Sequence, residues 1–158
     1  MATLDLSLTE AELHAYLSEQ RTARLATADA EGAPHVVPLW FVWHEGAVYL
    51  NSTLGNVTVE NMLRSGRATA VVDDGVAYEE LRGVTIGATV ERLGDYAPEP
   101  VEREWSEKYM AGGEVPYRRW RNRSWFRLDP VRMTSWDFRK IPEAKARLAR
   151  EREERGDG

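Results

Sequence analysis

Between Thr22 and Ser52 three runs rich in β-branched and aromatic residues are separated by only two tight turns. The turns are Asp29-Ala-Glu-Gly32 and His44-Glu-Gly46, and neither leaves room for a helix. The spacing predicts strands over Thr22–Ala28, over His35–Trp43 and over Ala47–Ser52, forming a three-strand meander. Gly32 gives the first turn the backbone freedom it needs. Ala33 and Pro34 open the second strand, where a proline removes no essential ladder bond. Further β-runs follow at Ala68–Asp73, at Leu81–Leu93, at Ser124–Leu128 and at Met133–Phe138, the last two separated by Asp129-Pro130. In Leu81–Leu93, Val84, Ile86, Ala88 and Val90 share one face. Six or seven short strands with few helices between them predict a mainly β fold, an antiparallel barrel with flanking helices. Closing the barrel removes exposed edges.

Helical signals are confined to the margins of this pattern. Ser7-Leu-Thr-Glu10 and Thr9-Glu-Ala-Glu12 are overlapping capping boxes, and Leu13, Tyr16 and Leu17 behind them share one face. They predict a helix of about three turns ending near Gln20. A short helix is expected over Asn56–Arg64, stopped by Gly66, and another over Pro100–Tyr109. From Pro142 onward the chain is almost entirely charge and alanine, which predicts a solvated, fraying helix. The expected organisation is one domain over 1–141 and a charged tail over 142–158.

The 158 residues carry a formal charge of −5 and no cysteine. The acidic balance argues against general nucleic-acid affinity. The missing cysteines exclude disulfides, thiolate metal sites and cysteine nucleophiles. No apolar run approaches a membrane span, and the N-terminus lacks the pattern of a signal peptide, so a cytoplasmic location is expected. There is no Walker A loop, no HExxH, no Gly-rich dinucleotide fingerprint and no GxSxG elbow. His14, His35 and His44 are scattered over a helix, a strand and a turn, which argues against a metal site. For His35 an ordinary strand position outweighs a catalytic one. The pairs Asp73-Asp74 and Glu79-Glu80 read as solvated, because neighbours in a strand point to opposite faces.

The strongest functional signal is the order of parts. Arg24-Leu-Ala-Thr-Ala28 is followed by Gly32-Ala-Pro-His-Val-Val-Pro-Leu-Trp-Phe-Val-Trp43, then Gly46-Ala-Val-Tyr-Leu-Asn-Ser52. Asn61-Met-Leu-Arg64, Arg67-Ala-Thr-Ala-Val-Val72, Glu80-Leu-Arg-Gly-Val84 and Ser135-Trp-Asp-Phe-Arg-Lys-Ile141 complete the series. In this order they resemble the pyridoxamine 5'-phosphate oxidase-like split-barrel family, in particular its flavin/deazaflavin-dependent oxidoreductase branch. The resemblance covers most of Thr22–Pro142. It implies an FMN-binding split barrel of antiparallel Greek-key type and a homodimer whose second subunit closes the site. It also implies hydride transfer between a bound FMN or deazaflavin (coenzyme F-420) and a small organic substrate.

The resemblance also implies site residues. The isoalloxazine ring would lie along the strand containing Val37, Pro38, Leu39 and Trp40. Asn51, Ser52 and Thr53 would face the ribityl chain and phosphate. Asn56, Val57, Thr58 and Asn61 belong to the helix whose start would face that phosphate, and Trp136 would lie near the ring. A helix start suits an anion because its free N–H groups and macrodipole both favour negative charge. No catalytic acid or base is assigned, since the cofactor carries the chemistry. Tyr49, Trp40 and Trp136 are candidates for shaping the pocket.

One departure stands out. Family members carry Lys or Arg near the positions of Gly55, Val57 and Thr58, whereas this chain has no cation there and adds Glu60. That leaves a second reading open, a split barrel that has lost its redox cofactor and binds a small molecule or works without one. A haem-handling member is a third and weaker reading, with only three histidines to offer an imidazole. A compensating feature is the cluster Arg118, Arg119, Arg121, Arg123 and Arg127 among Trp120, Trp125 and Phe126. A solvated face is the plainer reading of this cluster, with an anion-binding rim as the functional alternative and a single-stranded nucleic-acid surface as the least favoured.

Overall fold

The apolar run after Pro34 is not one strand. In the computed structural model, which describes residues 4–114 and 122–155, it breaks at Phe41. Strand β1 (Thr22–Ala28) forms a hairpin with β2 (Pro34–Trp40), whereas β3 (Val42–His44) forms one with β4 (Ala47–Thr53). The expected meander is therefore two hairpins. Phe41, Val42 and Trp43 are all buried in succession, which a strand with one solvent face cannot achieve. Phe41 and Trp43 enter the barrel interior while Val42 joins the cluster under α3, so both faces are covered where the chain changes partners.

The remaining elements are α1 (Glu10–Glu19), α2 (Val57–Ser65), β5 (Arg67–Asp74), β6 (Arg82–Gly94), α3 (Glu99–Met110), β7 (Arg123–Asp137) and α4 (Ile141–Arg155). The sheet runs β2-β1-β5-β6-β7-β4-β3, antiparallel throughout. Its two end strands, β2 and β3, are joined by the single residue Phe41, so the sheet curls into a split barrel. Leu25, Leu50, Val72, Val84, Ile86, Phe126 and Leu128 fill the interior. A second cluster, built from Val42, Tyr49, Val101, Trp105 and Trp125, packs α3 against the barrel.

A second correction concerns β7, a single strand of 15 residues where two were expected. Asp129-Pro130 does not end it, because Ala88 faces Pro130 while Gly87 faces Arg132. Val131 is the extra residue of a bulge. The irregular ladder there accommodates a residue that has no N–H to give.

Local signals place the helices. Thr9 and Glu12 form a reciprocal capping box at α1, which buries Tyr16 and Leu17. Ser7 instead bonds the side chain of Asp5. Asn56 caps α2 by accepting from Val59 N–H at 2.8 Å, and Gly66 ends it with φ +64°. Only the left-handed region allows that reversal, and glycine enters it without penalty. Beyond β7, Lys140 Nζ reaches Glu12 Oε2 at 2.6 Å, and Ala144 of α4 is buried. Among the described residues no helix is long and apolar enough to cross a membrane.

Candidate functional site

β2 ends the sheet and pairs only with β1. The N–H and C=O groups on its other edge therefore have no ladder partner among the described strands. Beside it lies a cleft of about 440 Å³ lined by His35, Val37, Pro38, Leu39, Asn51, Ser52, Thr53, Asn56, Val57, Thr58 and Arg123. Residues from β2, the end of β4, the first turn of α2 and the start of β7 thus meet in one place. The volume falls within the ~300–1,000 Å³ range of small-molecule and cofactor sites.

One end of this cleft has the features of an anion site. The Asn56 side chain takes the Val59 N–H, and its carbonyl takes the Glu60 N–H at 3.0 Å. The Val57 and Thr58 amides precede these at the helix start, where the macrodipole is positive. Asn56 Nδ2 also donates to Ser52 Oγ at 3.1 Å, tying the helix start to β4. Glu60 is exposed, while its neighbours Val59 and Asn61 are buried.

The first turn of α2 carries no cation, but one reaches the cleft from across the sheet. Arg123 is paired with Thr53 in the β4–β7 ladder. Its Nε donates to Asn51 Oδ1 at 2.6 Å, Nη2 to the Asn51 carbonyl at 3.0 Å and Nη1 to Thr53 Oγ1 at 3.3 Å. These bonds hold a guanidinium at the end of β4, in the wall of the cleft. The other arginines of the cluster behave differently. Arg127 pairs with Asp129 at 2.8 Å, and Trp125 and Phe126 are core residues. Arg118, Arg119, Trp120 and Arg121 lie outside the described residues.

Nine of the twelve residues expected at the site line this cleft, and three do not. Asn61 is buried between α2 and β1, where its Nδ2 donates to Thr27 Oγ1 at 3.2 Å. Its Oδ1 accepts from Arg64 at 3.3 Å. Trp136 is paired with Gly83, and its six-membered ring covers that glycine. Trp40 lines a neighbouring cleft with Thr22, Pro38 and Leu39. Two lining residues lay outside the expected set, His35 and Arg123. His35 alternates with Val37 and Leu39 along β2, a period-two signal present in the sequence. Arg123 is a neighbour of Asn51 only through long-range strand pairing.

Charged groups on α3 border the β2–β3 junction. Lys108 Nζ lies 4.8 Å from the Phe41 ring and donates to the Phe41 carbonyl at 3.4 Å. Burial pulls the Lys108 ammonium down to about 8, with Glu104 opposing the fall. Burial likewise raises Glu104, against the pull of Lys108 and His44. Among the described residues no group of acidic or histidine side chains is arranged to hold a metal ion.

The sequence model described as Pyridoxamine 5'-phosphate oxidase matches residues 9–137. The chain belongs to this family. Solved structures agree with the split-barrel fold of the family. A conserved hypothetical protein from Mycobacterium tuberculosis is 26% identical, with a TM-score of 0.76 over 90% of this chain and 92% of its own. A FAD-binding protein from Mesorhizobium loti is 24% identical, covering 82% and 93%, with a TM-score of 0.64. A haem storage protein from Vibrio cholerae is 17% identical, covering 81% and 96%, with a TM-score of 0.63. No curated protein matches the sequence.

Proposed function

We propose that the cleft beside β2 holds a flavin-type coenzyme, FMN or the deazaflavin coenzyme F-420, and that the protein is an oxidoreductase acting on a small organic substrate. The observation that carries this reading is the juxtaposition of an unladdered strand edge with an anion-binding corner across one cleft. The edge of β2 offers alternating backbone donors and acceptors, which suit the carbonyls and ring nitrogens of an isoalloxazine. Val57, Thr58 and Arg123 form the corner suited to a phosphate, with Ser52 and Thr53 between. Such a coenzyme supplies hydride transfer, while the protein orients it and excludes water. The FAD-binding relative from Mesorhizobium loti accords with this reading.

A homodimer is part of the proposal. The outer face of β1, β5 and β6 carries a groove of about 700 Å³ whose lining includes Ala26, Ala28, Thr69, Gly87, Thr89 and Val131, together with Ser65 and Arg67. Most of these side chains are small and let a second sheet approach closely, and a second copy placed there would cover the exposed Val36 and Val131. A cytoplasmic location accords with the cysteine-free sequence.

Titration of the purified protein with FMN and with coenzyme F-420, each oxidised and reduced, tests the reading. Binding at about micromolar affinity to one of them is expected. No binding to either would leave the second reading, a split barrel without a redox cofactor. That alternative is favoured by one observation: the first turn of α2 carries Glu60 and no cation.

A further inference from the structure

β2 has one partner strand, and an edge strand of this kind frays unless its ends are held. The start of β2 is held by the hairpin turn before it. There Asp29 Oδ1 accepts from the N–H groups of Glu31 at 3.0 Å and Ala33 at 2.8 Å. The far end has no turn, because Phe41 leads directly into β3.

A side-chain hydroxyl holds that end instead. Thr22 faces Trp40 in the last pair of the β1–β2 ladder, so Arg21 and Phe41 come next on the two strands. The Tyr109 hydroxyl of α3 bridges them. It accepts from the Phe41 N–H at 3.1 Å. Its single proton goes to the Arg21 carbonyl at 2.8 Å or to the Phe41 carbonyl at 2.6 Å. The hydroxyl thus stands in for a direct ladder bond. Lys108, the residue before it on α3, gives the Phe41 carbonyl a further donor, while Arg21 Nη2 donates to the Lys108 carbonyl. The Tyr109 ring is fixed as well. It stacks on Trp40 with centroids 4.5 Å apart and planes 8° from parallel, and packs 4.9 Å from the buried Trp105.

We propose that Tyr109 is a positioning residue for the coenzyme ring: its hydroxyl fixes the end of β2, and with it the backbone groups that the ring would meet. This rests on the flavin-type reading of the cleft. Leu39, two residues before Phe41, lines that cleft and Tyr109 does not, so Tyr109 acts through the strand and not by contact. A strand already set in place loses little freedom when a ligand settles on it, which favours binding. Hydrogen bonds weaken steeply once their angles are spoiled, so a loosened β2 would hold a ring edge poorly.

The test is Tyr109→Phe, which keeps the ring and its stacking and removes the hydroxyl alone. Amide hydrogen exchange of the full chain without ligand should become about tenfold faster across β2 and stay unchanged across β5 and β6. Titration with riboflavin, FMN and coenzyme F-420 completes the measurement. Each compound that binds the parent should bind the variant about fivefold more weakly, by the same factor with or without a phosphate. A merely structural role would leave affinity at the parent value or lower it for the phosphate as well. Unchanged exchange across β2 therefore overturns the proposal, as does faster exchange of all strands alike. Parent-like affinities beside faster exchange overturn it too, and so does a larger loss for FMN than for riboflavin. If none of the three compounds binds the parent, the flavin-type reading fails and takes the coenzyme role with it. The exchange result then decides alone whether the hydroxyl holds β2.

Discussion

Arg123, the first residue of β7, donates from Nε to Asn51 Oδ1 on β4 at 2.6 Å and so carries its charge into the wall of the β2 cleft. The two residues are 72 positions apart, and only the β4–β7 ladder makes them neighbours. That ladder supplies the cation which α2 lacks in its first turn.

Replacing Arg123 by Met is expected to weaken FMN or coenzyme F-420 by about 10- to 100-fold, the worth of a charge-assisted contact to phosphate. Riboflavin, which has no phosphate, should bind the variant and the parent alike. An equal loss for FMN and riboflavin would show that Arg123 merely holds the cleft open.

Gly83 and Trp136 face each other across the β6–β7 ladder. A Cβ built on Gly83 would lie 2.5 Å from Trp136 Cζ2 and 2.8 Å from the Val72 carbonyl oxygen. The indole can swing away, but the backbone oxygen cannot. Gly83→Ala should therefore destabilise the protein by about 1–3 kcal/mol, as overpacked sites do. Urea unfolding gives the energy, and a change in tryptophan emission would report displacement of Trp136.

How far these relationships can be read from sequence depends on their range. β1, the Gly66 stop of α2 and the α1 cap follow from residues within a few positions of one another, and the structure shows each of them. The break at Phe41 does not follow in this way, because Phe41, Val42 and Trp43 are buried in succession and periodicity cannot separate one strand from two. Asp129-Pro130 reads locally as a stop, yet the partner strand turns it into a bulge. Arg123 and Tyr109 owe their places to β4 and β2, strands remote in sequence, so no local spacing announces either.

Asn61 illustrates the same limit from the other side. The family resemblance implies that it belongs with the helix start facing the phosphate, but it is buried and bonded to Thr27 on β1. Asn61→Ala would leave the Thr27 hydroxyl without that donor and remove an acceptor of Arg64. A cost of about 1–3 kcal/mol in unfolding free energy is expected, with coenzyme affinity held within about twofold. Loss of affinity without loss of stability would return Asn61 to the binding site.

Lys108 makes stability depend on alkaline pH. Burial lowers its ammonium from the ordinary lysine value of 10.5 to about 8 in the folded chain, while the unfolded chain keeps the ordinary value. Between these limits the unfolded state binds more protons, so unfolding free energy rises as pH increases from about 8 to about 10.5. Below about 8 both states are protonated and the folded chain carries the full cost of a buried charge. Partial exposure and the nearby Glu104 reduce that cost, so the contribution is smaller than the shift alone implies. Lys108→Met removes the charge and keeps the apolar stem against Phe41. The variant should be the more stable protein at neutral pH, and its advantage should shrink steadily above pH 8. Denaturant midpoints measured across this interval for both proteins decide the matter, and parallel curves would mean that Lys108 is solvated in the folded chain.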